Sequence, residues 1–247
     1  GDQVNMKMSI MFSDIRSFTS ISEKMSPKEN FGFVNTYLNE MGPIVRAHGG
    51  YIDKFMGDGI MALFPDSPSE VVRAAVKMQQ ELEKLNLDSV IYKRNPVRVG
   101  IGINTGMMML GTIGEADRME GSVISDAVNL ASRLEGLTKL YKSQILISED
   151  TYSRLKTNMF HTRLVDFVAV KGRSKAVKIY EVMDGEPAGL LNLKLENSSA
   201  FTDAIEMFQC QDINRALDLF NQCKGDSPLD GAADYYARRC KILIKEG

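Results

Sequence analysis

The sequence predicts an α+β fold, an α/β sandwich in which a mainly antiparallel sheet carries helices, followed by a small all-α module. Three observations predict it. Short apolar runs alternate with stretches of helical periodicity, glycine-centred turns join neighbouring runs into hairpins, and near the C-terminus only helical spacing remains.

Met8–Phe12 is an apolar run ending in Ser13–Asp14, a buried strand that delivers Asp14 at its C-terminal end. Ser26–Pro27 opens a helix with Pro at the first helical position. The helix runs to about Ala47, with Phe31, Val34, Leu38, Met41 and Val45 on one stripe, and Gly49–Gly50 stops it. Gly42–Pro43 is expected to kink it. Residues 51–64, YIDKFMGDGIMALF, place two β-prone segments around Gly57–Asp58–Gly59, a hairpin with Asp58 at its tip. A helix follows from about Pro68 to Leu85. Two strands, Val97–Asn104 and Met107–Ile113, are expected on either side of a Thr105–Gly106 turn. Val128, Ala131, Leu134 and Leu137 mark a helix from Ser125 to Tyr141, and strands at Gln144–Ser148, Thr162–Val170 and Val177–Met183 complete a ferredoxin-like βαββαβ core with its extensions.

The expected organisation is a catalytic-type domain over residues 1–186, a linker over 187–198 where Gly, Pro and Asn concentrate, and a helical module over 199–247. In that module Ala204 and Phe208, then Ala216 and Phe220, repeat an Ala-x-x-x-Phe spacing, and a third helix starts near Pro228. The pattern resembles a tetratricopeptide-type hairpin. One unit and a half is too little for a solenoid, so the module reads as a cap or a docking element.

Composition narrows the chemistry. The 247 residues carry a net charge of −2, which points away from nucleic acid as a partner. No apolar run approaches a membrane span, and the layout of a signal peptide is lacking. The chain begins Gly-Asp-Gln, so we expect a fragment of a longer protein whose remainder holds an upstream sensor or membrane region. Cys210, Cys223 and Cys240 form neither a disulfide framework nor a zinc set, and they read as buried apolar residues of a reduced, cytoplasmic chain. With only two histidines, His48 and His161, any chemistry must come from carboxylates, Lys, Arg and bound metal.

Two carboxylates stand out. Alone, Asp58 reads equally as a turn former and Asp14 as a cap. If they meet, they form an all-oxygen cluster suited to Mg²⁺ or Mn²⁺, completed by waters, a main-chain carbonyl and phosphates. The glycines of GIGINTG (100–106) do not have dinucleotide-fingerprint spacing and open no helix, and no Walker A pattern occurs. Asn129 and Arg133, four apart on a predicted helix, share a face. A fixed guanidinium there suits charge building on a phosphate, and a plain alternative is that Arg133 pairs with Glu135 or solvent.

FSDIRSFT (12–19), DKFMGDGIMALF (53–64), SDAVNLASRLE (125–135) and VKGR (170–173) together resemble the signature segments of class III adenylate and guanylate cyclases, in the family's order, across about residues 6–184. The resemblance implies two divalent metals, Mg²⁺ or Mn²⁺, bound by Asp14, Asp58 and the Ile15 carbonyl. It implies that Lys54 and Ser122 read the purine, that Asn129 positions the ribose and that Arg133 stabilises the transition state. Arg173, and a position near Arg118, would contact phosphates. These groups come from two subunits in the family, so a homodimer with two equivalent sites is implied. Ser17, Gly121, Ser122 and Ser125 depart from the commoner family residues.

Adenine offers an acceptor at N1, guanine a donor, and a Lys ammonium can only donate. Guanylate cyclases of this family carry an acidic residue where Lys54 stands, so the expected activity is conversion of ATP to cyclic AMP and pyrophosphate. The alternatives are a guanylate or promiscuous purine cyclase, and a degenerate nucleotide-binding domain without turnover.

Overall fold

The computed structural model describes residues 4–115, 118–170 and 176–246. In chain order the elements are β1 (Val4–Ile15), α1 (Phe18–Ser22), α2 (Pro27–Ala47), β2 (Tyr51–Met56), β3 (Gly59–Phe64), α3 (Pro68–Asp88), α4 (Val90–Arg94), β4 (Val99–Glu115), β5 (Arg118–Ile124), α5 (Asp126–Tyr141), β6 (Ile145–Ser148), α6 (Glu149–Tyr152), β7 (Thr162–Val168), β8 (Val177–Val182), α7 (Ala188–Glu196), α8 (Ser198–Gln209), α9 (Ile213–Cys223) and α10 (Gly231–Glu246). They form a single sheet in the order β2-β3-β1-β4-β6-β8-β7, with β5 folded back on β4. The first four strands of that order have the ferredoxin-like arrangement. Only β4–β6 is parallel among the described pairs. The predicted fold class is therefore the observed one.

Helix starts follow the local chemistry. Ser26 and Glu29 close a reciprocal capping box at α2, and Ser67 and Ser125 accept from the first turns of α3 and α5. Pro43 lies inside α2 without ending it. The buried stripe of α2 is Phe33, Tyr37, Met41 and Val45, an i, i+4 series; Phe31, expected on it, is 73% exposed. With α3, this helix packs the apolar core over one face of the sheet.

Cys210, expected to be buried, is exposed, whereas Cys223 and Cys240 are buried. Two further expectations are corrected, and the first is the turn at Thr105–Gly106. β4 is one long strand, because β1 pairs with it continuously from Val4↔Leu110 to Ile15↔Val99. The glycines there serve packing. Gly100, Gly102 and Gly106 lie two and four residues apart on one strand, hence on one face, and α5 rests on that face. A Cβ at Gly102 would sit within 3.0 Å of the backbone of Ala131, Leu134 and Glu135, and one at Gly106 3.0 Å from Ala127 Cβ. Between them Asn104 Nδ2 donates to the Ala127 carbonyl at 3.0 Å.

The second correction concerns the linker. Residues 188–196 are helical, and Lys194 on α7 is buried. Its ammonium donates to Glu181 Oε1 and Glu186 Oε1, both at 2.7 Å. Glu181 also accepts from Arg163 Nε at 2.6 Å, and Arg163 makes a bidentate pair with Asp230 at 2.6 and 2.8 Å. Asp230 Oδ1 accepts as well from the first-turn amides of Ala232 and Ala233, so one carboxylate both caps α10 and holds Arg163. The Arg163 guanidinium lies 3.9 Å from the centroid of the Phe201 ring on α8. Helices α8, α9 and α10 share one apolar cluster with Leu130, Leu134 and Tyr141 of α5 and with β7 and β8. The Ala-x-x-x-Phe pairs supply it through Ala204, Phe208, Ala216 and Phe220.

Removing one partner of a buried ion pair leaves an uncompensated charge, a loss of about 3–5 kcal/mol. Asp230→Ala is therefore expected to lower unfolding free energy by about that amount in equilibrium urea titrations, through exposure of Arg163 to an incomplete partner set.

Candidate active site

The register Ser13↔Ile60 between β1 and β3 sets the end of β1 beside the β2–β3 turn, and so brings Asp14 to Asp58. Gly57 holds that turn at φ +66, a conformation that favours glycine. A Cβ at Gly59 would lie 3.2 Å from the Ser13 carbonyl and 3.4 Å from Asp14 Oδ1, so a side chain there would crowd the approach of Asp14. Asp58 is 9% exposed, and its Oδ2 accepts from the Ile15 amide at 3.1 Å. Burial, and after it the Asp14 side chain, push the Asp58 carboxyl up to about 7.

Two residues that the sequence did not single out complete this corner. Glu135 of α5 lines the same recess of about 210 Å³ as Asp14, Ser13 and Gly59. Its carboxyl is pushed up by burial and then by Asp14. Arg16 lies 3.8 Å from Glu135, and its guanidinium is lowered to about 10, chiefly by burial, against the pull of Glu135 and Asp14. Arg16 also donates to Thr138 Oγ1. The clue was available, since Arg16 follows Ile15 directly in FSDIRSFT, but its pairing with Glu135 is a tertiary fact.

Among the described residues no group of three His, Cys, Asp or Glu side chains is arranged to hold a metal ion. The donor set is the pair Asp14 and Asp58 with the adjoining Ile15 peptide. A buried carboxylate, Asp58, whose proton affinity is raised by burial and by the neighbouring Asp14, makes a site whose charge a divalent cation would relieve, so these residues fit the metal that the resemblance implies.

The remaining candidates lie elsewhere on the chain. Lys54 is on β2, an edge strand, with its ammonium 3.3 Å from Asp53. Asn129 and Arg133 are exposed on α5. Arg133 Nη1 donates to the Ala169 carbonyl at 2.6 Å, so its partner is neither Glu135 nor solvent alone. Among the described residues, no hydrogen bond or ion pair joins Lys54, Asn129 or Arg133 to Asp14 or Asp58. Arg118 and Ser122 lie on β5, whose pairing with β4 is described through the backbone, while their side chains lie outside the described set. Arg173 lies outside the described residues.

The adenylate and guanylate cyclase catalytic domain family matches residues 2–184. The chain belongs to this family. It is 40% identical to the terminal-differentiation specific adenylate cyclase of Dictyostelium discoideum, over 99% of this chain and 12% of that protein. It is 46% identical to an adenylate cyclase of Anabaena cylindrica, over 71% of this chain and 36% of that protein. The chain thus spans only a minor part of either relative. Among solved structures, the adenylyl cyclase CyaB from P. aeruginosa superimposes with a TM-score of 0.65 at 35% identity, covering 74% of this chain and 96% of that one. The guanylyl cyclase Cya2 does so with a TM-score of 0.64 at 33% identity, covering 74% and 93%. Among the described residues no helix of this cyclase domain is long and apolar enough to cross a membrane.

In the metal-free protein the raised Asp58 carboxyl has a defined sign. Its folded value of about 7 lies above the ordinary 3.8, so its contribution to stability is fully present below 3.8 and is lost as pH rises through about 7. Thermal midpoints measured across that window are expected to fall with rising pH from this group. Asp58→Asn should flatten the dependence, and Mn²⁺ should raise the midpoint of the unaltered chain but not of the variant.

Proposed function

We propose that this chain is an adenylate cyclase catalytic domain that converts ATP to cyclic AMP and pyrophosphate, with sites shared across a homodimer. The observation that carries the reading is the convergence of Asp14 and Asp58 in a chain of the cyclase family. Asp14, Asp58 and the Ile15 carbonyl would hold two Mg²⁺ or Mn²⁺ ions. Bound there, such ions supply activation of the attacking ribose oxygen and neutralisation of the leaving one. The ribose 3′-hydroxyl gives up its proton to solvent, and its oxygen forms the bond to the α-phosphorus as the bond from that phosphorus to the departing pyrophosphate breaks. Asn129 orients the ribose, and Arg133 meets the charge on the α-phosphate. Arg173 and Arg118 would contact the phosphates.

Lys54 and Ser122 would read the base. An ammonium donates to adenine N1 and meets a hydrogen at guanine N1, and an unmet polar group of this kind can cost about 10⁴-fold in selectivity. Likeness to both an adenylyl and a guanylyl cyclase leaves the base choice on Lys54. Cyclic nucleotide formation from Mn²⁺-ATP and from Mn²⁺-GTP tests it, and preferred turnover of GTP would reverse the assignment.

The homodimer rests on two supports. Among the described residues, Lys54, Asn129 and Arg133 make no hydrogen bond or ion pair with Asp14 or Asp58 in one chain, and Phe55, Met56, Met107 and Met109 expose apolar side chains on β2 and β4. A second copy of the chain would cover such a surface and bring the two half-sites together.

Arg133→Ala is expected to lower turnover by roughly 10²–10³, as for loss of one transition-state donor, with KM little changed. Mixing inactive Asp14→Ala and Arg133→Ala chains should restore activity, because a mixed dimer rebuilds one intact site. No recovery under demonstrated subunit exchange would refute the shared site.

A further inference from the structure

Helix α5 carries Asn129 and Arg133, and two of its side chains are tied to one short stretch of backbone. Arg133 donates to the carbonyl of Ala169 at 2.6 Å. Eight residues further along, Tyr141 donates its hydroxyl to Asp166 Oδ2 at 2.5 Å. Asp166 and Ala169 are three positions apart at the end of β7.

Asp166 owes its placement to an irregularity in the sheet. Leu164 pairs with Tyr180 and Asp166 with Ile179, so Val165 is an extra residue in the ladder. A bulge of this kind bends the strand and re-aims the side chains around it. The C-terminal helices take up both consequences. Tyr236 of α10 donates to the Val165 carbonyl at 2.7 Å, and the same hydroxyl lies 3.2 Å from Asp166 Oδ1. The bulge is therefore held from two sides: Tyr141, the last residue of α5, donates to the Asp166 carboxylate, and the single proton of Tyr236 on α10 is shared between the Val165 carbonyl and Asp166 Oδ1.

The surroundings give this grip little slack. Tyr141 and Tyr236 stack with ring centroids 6.2 Å apart. A Cβ at Gly231, the first residue of α10, would lie 2.6 Å from the Tyr141 carbonyl, so α10 abuts the end of α5 directly. Burial drives the acidity of both phenols down, so each keeps the proton it donates. Leu130 and Leu134, the inward neighbours of Asn129 and Arg133, belong to the same apolar cluster as Phe201, Phe208 and Tyr236.

We propose that Asp166, held between the hydroxyls of Tyr141 and Tyr236, is a positioning residue through which the C-terminal helices fix the catalytic helix α5 and with it Asn129 and Arg133. The module is then a brace for the active site rather than a separate cap. The chemical part of the proposal rests on the cyclase reading; the mechanical part does not. A displaced α5 still binds nucleotide through groups on other elements, so the loss falls on turnover.

The test uses the full chain with Tyr236→Phe, which removes the hydroxyl and keeps the ring, beside Phe201→Leu, which loosens the same cluster without touching Asp166. Hydrogen–deuterium exchange over residues 126–141 is measured with kcat and KM for cyclic AMP formation. Tyr236→Phe is expected to speed exchange in α5 and to lower kcat about 3- to 10-fold, the size of one lost hydrogen bond, with KM within about twofold. Phe201→Leu should lower the thermal midpoint at least as much while kcat stays within about twofold of the unaltered chain. Unchanged α5 exchange in Tyr236→Phe, or an equal fall of kcat in both variants, would overturn the proposal. If the unaltered chain makes no cyclic nucleotide, the cyclase reading fails, and the exchange data alone still decide whether α10 braces α5.

Discussion

The antiparallel pairing of β1 with β3 is the constraint on which the site depends. It sets the C-terminal end of one strand beside the turn that precedes the other, and so brings together two carboxylates that are distant in sequence. With both carboxyls ionised, that meeting is unfavourable. Asp58 is buried next to a like charge, and its carboxyl rises to about 7 as a result. Such a conflict, at the end of a central strand, fits the divalent cations proposed for this site. The glycines on either side of Asp58 serve the same end, one by admitting the turn and the other by admitting Asp14.

Around this pair the fold controls a single helix. α5 lies on a glycine face of β4, close enough that a side chain at Gly102 would collide with its backbone. Its other side is covered by β7 and the C-terminal helices. The buried chain of Glu186, Lys194, Glu181, Arg163 and Asp230 fastens those helices to the sheet. Each charge in that chain has an opposite partner within hydrogen-bond distance, the condition under which burial of ions is tolerated.

Much of this was legible in the sequence. Asp14 and Asp58 stand out because each interrupts a local pattern, an apolar strand and a hairpin. Helix starts at Ser26–Pro27, Ser67–Pro68 and Ser125 are written in capping residues whose partners lie within three positions. What could not be read depends on residues far apart. Thr105–Gly106 looks like a turn, yet the glycine answers to Ala127 on another element. The segment after residue 184 looks like a linker by composition, yet its one buried lysine is held by Glu181 and Glu186. Arg16 and Glu135 join the site only because α5 crosses the end of β1. The bulge at Val165 has no local signature, since its carbonyl is satisfied from α10.

The central claim is that Asp14 and Asp58 together grip divalent cations beneath a triphosphate. Anomalous diffraction from crystals grown with Mn²⁺ and a non-hydrolysable ATP analogue tests it most directly. The account predicts manganese peaks between the two carboxylates, in contact with phosphate oxygens. Density showing the nucleotide bound while those side chains diverge and share no ion would contradict it.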